Sequence, residues 1–411
     1  MSRKKDYVLN SPQEITDELK LAVATGTVGS LVINYSTGII NKDGIVSDSP
    51  FCGVTTLKRI SYPVSLGENC RSVAGLFADC ENLERLPMID TSKVRDFSLM
   101  CLNCHSLKSF PAYDTSSAEN FRGMLQTCFS LEEISPMDTR NVTDFSYCFS
   151  GCCRLKEFPL SDTSRAENME SMFDNCYLIA SAPRLDTGRV RNFNCMFLCC
   201  SGLKKIPKLD TSSAETAVSM FDSCDSLEEL PKLDYSGIKK ASMMFMSCQN
   251  LKRAVGANFS SAADISYLFA HCPKLEEVSD LDTSSAVLAR NTFFGCRSLK
   301  KLPKMDLSRA VDISEICADC AGLQEVPDLD VSSVQNFNHS FSGCASLKKF
   351  PAWKTTAALN FTSMFAGCAE LEKVEEFEAP VAEIFRDMFK DCGSLKEPPR
   401  FYTTGQFRLR R

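Results

Sequence analysis

Starting at Cys80, every twenty-fourth residue of the chain is cysteine: Cys104, Cys128, Cys152, Cys176, Cys200, Cys224, Cys248, Cys272, Cys296, Cys320, Cys344, Cys368 and Cys392. No insertion or deletion interrupts the run over 312 residues. A fixed period of this length marks a solenoid, because a single coil cannot bury its own apolar side and takes its core from its neighbours. The 411-residue chain holds 22 cysteines, yet a strict period reads as a packing column and not as the disulfide framework of a small secreted protein. The column is expected to be reduced.

One coil, Cys200 to Cys224, reads CSGLKKIPKLDTSSAETAVSMFDSC. Counted from the cysteine, apolar residues fall at +3, +6 and +9 (Leu203, Ile206, Leu209), with Pro207 at +7. Proline lacks an amide hydrogen for a ladder, so it ends a short strand. Asp210, Thr211 and Ser212 follow, residue types that cap helices and make tight turns. Apolar residues then recur at +14, +17, +20 and +21, as in Val142, Phe145, Cys148 and Phe149, a spacing that predicts a helix or helical turn. Ser116 with Glu119, Ser164 with Glu167 and Ser212 with Glu215 have capping-box spacing. The expected fold class is an α/β repeat solenoid, leucine-rich-repeat-like, of about 14 coils of 24 residues, with a small non-repeating N-terminal cap.

The expected organisation is residues 1–56 as a cap or attachment segment, 57–404 as solenoid and 405–411 as a basic tail. In the first segment Ser11-Pro12-Gln13-Glu14 opens a helix, and residues 31–35 with 38–46 suggest a strand pair whose apolar LVINY could add to a partner's sheet. Arg400, Arg408, Arg410 and Arg411 are the one basic cluster, and a net charge of −6 gives no field suited to nucleic acid. MSRKKDYVLN lacks the apolar run of a signal peptide, and no stretch is apolar for long enough to span a bilayer. The expectation is synthesis in the cytoplasm with no secretory export and no membrane insertion.

Candidate chemistry is weighed against packing. The C-x-x-C pairs Cys101/Cys104 and Cys317/Cys320 lie nine coils apart, roughly 43 Å at strand spacing, and cannot share a zinc ion. Asp90, Asp114, Asp138, Asp162, Asp186, Asp210 and Asp234 form a column without the glycine-rich turns of calcium loops. His105, His271 and His339 fall at three different offsets. No catalytic motif, cofactor site or metal site is expected, and the chain does not read as an enzyme. The candidate binding surface is a charge strip at +4 and +5: Lys204-Lys205, Glu228-Glu229, Lys252-Arg253, Glu276-Glu277 and Lys300-Lys301, continued by Gln324-Glu325 and Lys348-Lys349. Sign alternates from coil to coil, which pairs opposite charges on neighbouring strands and penalises a slip of one coil.

The unit C-x-x-L-x-x-L-P-x-L-D-T-S-x-V-x-x-F-x-x-M-F-x-x-C resembles the repeats of BspA-like leucine-rich-repeat surface proteins, and more closely their Mycoplasma-type subgroup. MDTRNVTDFSYCF (137–149) and SDTSRAENMESMF (161–173) carry the likeness, which extends from residue 57 to about 404. The resemblance implies a leucine-rich-repeat-like solenoid and a role in surface adhesion or protein binding; such repeats also occur in protists and phage genomes. The expected function is a non-catalytic protein-binding or structural module, on a phage virion (tail or adhesion) or another surface, with a virion or cell-surface protein as partner. A cytoplasmic scaffold that docks a host protein on its solenoid face is the alternative.

Overall fold

The computed structural model describes residues 4–41, 46–397, 399, 401 and 402. Arg400 and residues 403–411, and with them the whole basic cluster, lie outside the described residues. The chain forms two compact units, Met1–Leu209 and Asp210–Arg411, each built of β-solenoid coils, about 15 in all.

Within each unit two lines of parallel pairing link neighbouring coils. The first runs through +5 and +6: Ser109–Phe110 pairs with Glu133–Ile134 in the first unit, and Arg253–Ala254 with Glu277–Val278 in the second. These strands are two residues long, and Pro111 ends the first of them. The second line runs through +16, as Ser72, Asp96, Asn120, Asp144, Asn168 and Asn192 in the first unit and from Thr216 to Ile384 in the second.

Where the spacing predicts a helix, the repeats form a ribbon of tight turns. The amides of Phe97, Leu99, Cys101 and Asn103 donate to the next coil, to Asn120, Arg122, Met124 and Gln126, at 2.8–3.0 Å. The intervening amides of Met100, Leu102 and Cys104 bond back three residues, to Phe97, Leu99 and Cys101. Alternating the two partners requires a left-handed residue twice per coil, and Leu99 (φ 55) and Asn103 (φ 58) supply it. The same two offsets are left-handed in coil after coil, for example at Tyr267 and His271 or His339 and Gly343. A helix has no such residue inside it. The capping boxes expected at Ser116 and Ser164 do not form: the Ser116 amide bonds the Asp114 carboxylate at 3.0 Å, and the Glu119 and Glu167 amides go to Arg95 and Thr143 of the previous coil at 2.8 and 2.9 Å.

The ribbon turns its apolar residues inward on every coil, so identical side chains stack. Phe149, Phe173 and Phe197 lie ring over ring at 5.8 and 5.5 Å in the first unit. Phe221, Phe245, Phe269 and Phe293 do so at 5.4–5.7 Å in the second. All these rings are fully buried.

The N-terminal segment is more regular than its sequence suggests. β1 (Lys5–Leu9), α1 (Asp17–Thr25) and β2 (Val28–Ile33) make a parallel β-α-β unit in which Tyr7, Val8 and Leu9 face Leu31, Val32 and Ile33, 24 residues on. Thr16 caps α1 through the Leu19 amide, and Gly26 ends it at φ 66. β3 (Ile39–Asn41) pairs antiparallel with β4 (Val46–Ser47), and β2 pairs again with β5 (Val64–Leu66). The strand within LVINY is therefore central, with a neighbour on either side, and offers no edge to a partner. The segment also closes the first coil's outward carbonyls. Ser72 accepts the Thr37 amide, Ala74 the Ser47 hydroxyl, Leu76 the Ser49 hydroxyl and Ala78 the Gly53 amide.

Candidate interaction surface

The recurrent residues of the coil are engaged in bonds between coils. Column thiols donate to a carbonyl of an earlier coil, 27 residues back for Cys104 to Phe77 at 3.1 Å and Cys320 to Phe293 at 3.0 Å, and 29 back for Cys80 to Phe51. The Phe77 and Phe293 carbonyls already accept the amides of Cys80 and Cys296, so the thiol fills a second lone pair in the dry core. Cys80, Cys104, Cys128, Cys296 and Cys320 are buried free thiols. Burial and neighbouring cysteines push Cys80, Cys128 and Cys296 well above the ordinary thiol range. Cys392, half-exposed, is pushed up to about 11. A thiol held protonated is neither a nucleophile nor a ready metal ligand.

The Asp-Thr-Ser column works in the same way. Asp138 takes its own turn through the Arg140 amide, and Thr115 of the previous coil closes both of its backbone groups: its hydroxyl donates to the Asp138 carbonyl at 2.9 Å and accepts the Asp138 amide at 2.9 Å. Thr163 and Thr211 do the same for Asp186 and Asp234. Hydrogen bonds from the serine two residues on hold the carboxyls of Asp90, Asp162, Asp234 and Asp330 below the usual carboxylate range. An open groove of about 740 Å³ beside Asp280, Asp282, Asp306, Asp328 and Asp330 is floored by Leu281, Met305 and Leu329. Among the described residues no group of three or more His, Cys, Asp or Glu is placed to hold a metal ion. His105 stacks on Phe129 at 4.9 Å, whereas His271 meets Phe294 edge-on at 4.9 Å.

The charge strip lies on the exposed strand side, and in the second unit its members engage one another. Lys252 reaches Glu228 at 3.0 Å, Arg253 bridges Glu229 at 3.5 Å and Glu277 at 2.8 Å, and Lys301 reaches Glu325 at 3.4 Å. Glu276 joins the strip through its backbone, its amide on the Lys252 carbonyl, and the Lys300 carbonyl accepts the Gln324 amide. In the first unit the amides of Lys204 and Lys205 both bond Ala180. The ion-paired side chains are about half to two-thirds exposed, so each pair contributes roughly 0–1 kcal/mol. In the second unit the strip thus forms coil-to-coil ion pairs at Glu228–Lys252, Glu229–Arg253–Glu277 and Lys301–Glu325. What the repeat pattern did not reveal is the pair of outward left-handed columns, at +19 and +23. A signal was present at +23 alone, where Asp79, Asn103, Gly151, Asn175, Ser223, Ser247, His271, Gly295 and Asp319 predominate beside Thr127 and Cys199, whereas +19 holds residues such as Leu99, Tyr147, Cys195 and Met243.

A family model described as "Mycoplasma protein of unknown function, DUF285" matches residues 71–182, 156–258, 178–282, 218–328, 257–349 and 287–402. The chain belongs to this family. Among curated proteins no relative matches. A leucine-rich repeat protein from Eubacterium ventriosum is similar at 13% identity, covering 96% of this chain and 84% of its own, with a TM-score of 0.36. The functional domain of InlJ from Listeria monocytogenes, whose title notes a cysteine ladder, is 12% identical over 74% of this chain and 71% of its own, TM-score 0.22. The TLR13–ssRNA13 complex is 14% identical, TM-score 0.28; it covers 95% of this chain, which spans 59% of that receptor chain. Scores this low leave the fold resting on the coil geometry itself.

Proposed function

We propose that this DUF285-family chain is a non-catalytic protein-binding or structural module, held at an assembled surface. One observation carries the reading. The recurrent cysteine, threonine and aspartate are engaged between coils, whereas the charged residues that change from coil to coil at +4 and +5 are exposed on a repeating backbone. A wall of that kind suits recognition of another protein, because its frame is fixed and its side chains can change without cost to the core. The resemblance to BspA-like surface repeats supports a place on a virion or cell surface. The buried free thiols fit assembly in a reducing compartment. A cytoplasmic scaffold shares that last feature and is the competing reading.

The test is cross-linking through surface lysines, Lys252 and Lys300 among them, in the cells or particles that contain the protein. The reading expects links to one partner protein in constant proportion, and co-fractionation with particles or envelope separates surface from scaffold. A protein that runs at monomer mass in its native extract, with intramolecular links alone, would contradict it. Among the described residues no helix is long and apolar enough to cross a membrane, so attachment is proposed to be through protein contacts.

A further inference from the structure

On the strand side the second unit lacks the +7 proline at Val255, Ser279 and Glu375, and in the coil that begins at Cys248 the departure extends to small residues at +8 and +9. At +7 to +9, where the preceding coil has Pro231, Lys232 and Leu233, this coil has Val255, Gly256 and Ala257. The result is a notch of about 560 Å³ lined by Leu230, Pro231, Leu233, Tyr235, Val255 and Gly256, with Glu229, Lys232 and Arg253 at its rim. That volume falls in the range of about 300–1,000 Å³ usual for ligand sites.

Two features separate the notch from a packing fault. The core beneath it is refilled: at +11, where Thr211 and Thr283 stand in other coils, the second unit has Tyr235 and Phe259 here, both buried, with rings 5.2 Å apart. The Tyr235 hydroxyl is satisfied by the Pro231 carbonyl at 2.6 Å. The opening, in contrast, is left empty. A Cβ on Gly256 would meet nothing within 4 Å, and Val255 remains 48% exposed.

The rim selects the occupant. Glu229 and Arg253 hold each other, and Arg253 also holds Glu277. The neighbouring Asp234 carboxylate is taken by the amide and hydroxyl of Ser236 at 2.9 and 2.6 Å. Lys232 is exposed and makes no ion pair among the described residues, so its ammonium is the one lining charge still open to a partner.

We infer that the notch receives a bulky aliphatic side chain from an extended acidic segment of a partner protein, with a carboxylate beside that side chain on Lys232. The inference rests on the protein-binding reading and names one of its contact points.

The test uses the full chain and two labelled seven-residue peptides with a central leucine, one flanked by glutamates and one by lysines, in fluorescence polarisation. The glutamate peptide should bind at least tenfold more tightly, and more weakly as salt rises. Lys232→Glu should reverse the preference, and Val255→Ser should weaken binding of both peptides several-fold. Both positions are exposed at the surface, and circular dichroism confirms the fold of each variant. Equal binding of the two peptides, no binding of either, or a preference unmoved by Lys232→Glu overturns the inference. Cross-links formed elsewhere on the chain would then still stand, which keeps this failure apart from that of the general reading.

Discussion

Cysteine is the residue the coil repeats most strictly, and its geometry explains why. Valine would fill the space but leave a carbonyl lone pair unused; serine would bond it but bring a more strongly hydrated hydroxyl into a dry core. Cys296→Ala removes both the packing and the bond to Phe269. It should cost about 1–3 kcal/mol, read as a lowered unfolding midpoint in urea; an unchanged midpoint would deny the column its role. Asp174 makes a second residue-scale prediction. Burial raises its carboxyl to about 6, opposed by the Ser150 hydroxyl. A folded pKa above the unfolded value means the native state holds the extra proton, so the contribution of Asp174 to stability is fully present below about pH 4 and is lost as pH rises through 6. Asp174→Asn should flatten that slope and leave the protein more stable at pH 7. A wild-type stability that rises over this interval on account of Asp174, so that Asp174→Asn lowers it at pH 7, would reverse the assignment.

At the scale of the element, the turn ribbon and the charge ladder make separate demands. The left-handed offset suits serine and is costly for an apolar β-branched residue; Thr127, at φ 59, is the one β-branched residue found there among the described residues, and its hydroxyl donates to the Gln126 carbonyl. Ser247, at φ 56, is one such position. Ser247→Val should lower the melting temperature clearly, while Ser247→Gly should leave it equal or higher; two equal losses would argue against the left-handed assignment. In the charge ladder, replacing Glu276 and Glu277 by lysine sets Lys252-Arg253, the new pair and Lys300-Lys301 side by side. The loss of melting temperature should be larger at low salt than at high salt; a salt-independent loss would remove the ladder's electrostatic basis. The elements also mark where reading the sequence stopped. The coil length, the strand ending near proline and the opposed charges follow directly from the repeat. The apolar spacing of Val142, Phe145 and Cys148 was misleading, because turns that bond back three residues bring side chains inward at nearly helical intervals. The Asn, Asp, Ser and Gly residues at +23 were the available correction, since each type tolerates a left-handed backbone, while +19, with Leu99, Tyr147 and Met243, gave none.

For the whole molecule, the N-terminal β-α-β unit shows how a repeat starts without its own signature. β1 and β2 keep the 24-residue register with no cysteine and with a true helix between them, so nothing in the repeat's consensus points to them. The notch at Val255 and Gly256 was hidden for the opposite reason: it is a departure from a pattern, and the pattern drew the eye. We propose that residues 1–56 serve as the cap, on the strength of the bonds from Thr37, Ser47, Ser49 and Gly53 to the first coil. A chain beginning at Thr55 would expose those carbonyls and should melt earlier; if it folds with unchanged stability, the segment serves attachment instead. The central claim is that the repeat is a ladder of tight turns whose constant residues bind coil to coil, leaving only its variable residues for a partner. The most direct measurement of it is far-ultraviolet circular dichroism of the intact protein. The one α-helix among the described residues, Asp17–Thr25, predicts a weak band at 222 nm; a strong helical band, as a helix in every coil would give, would contradict the account.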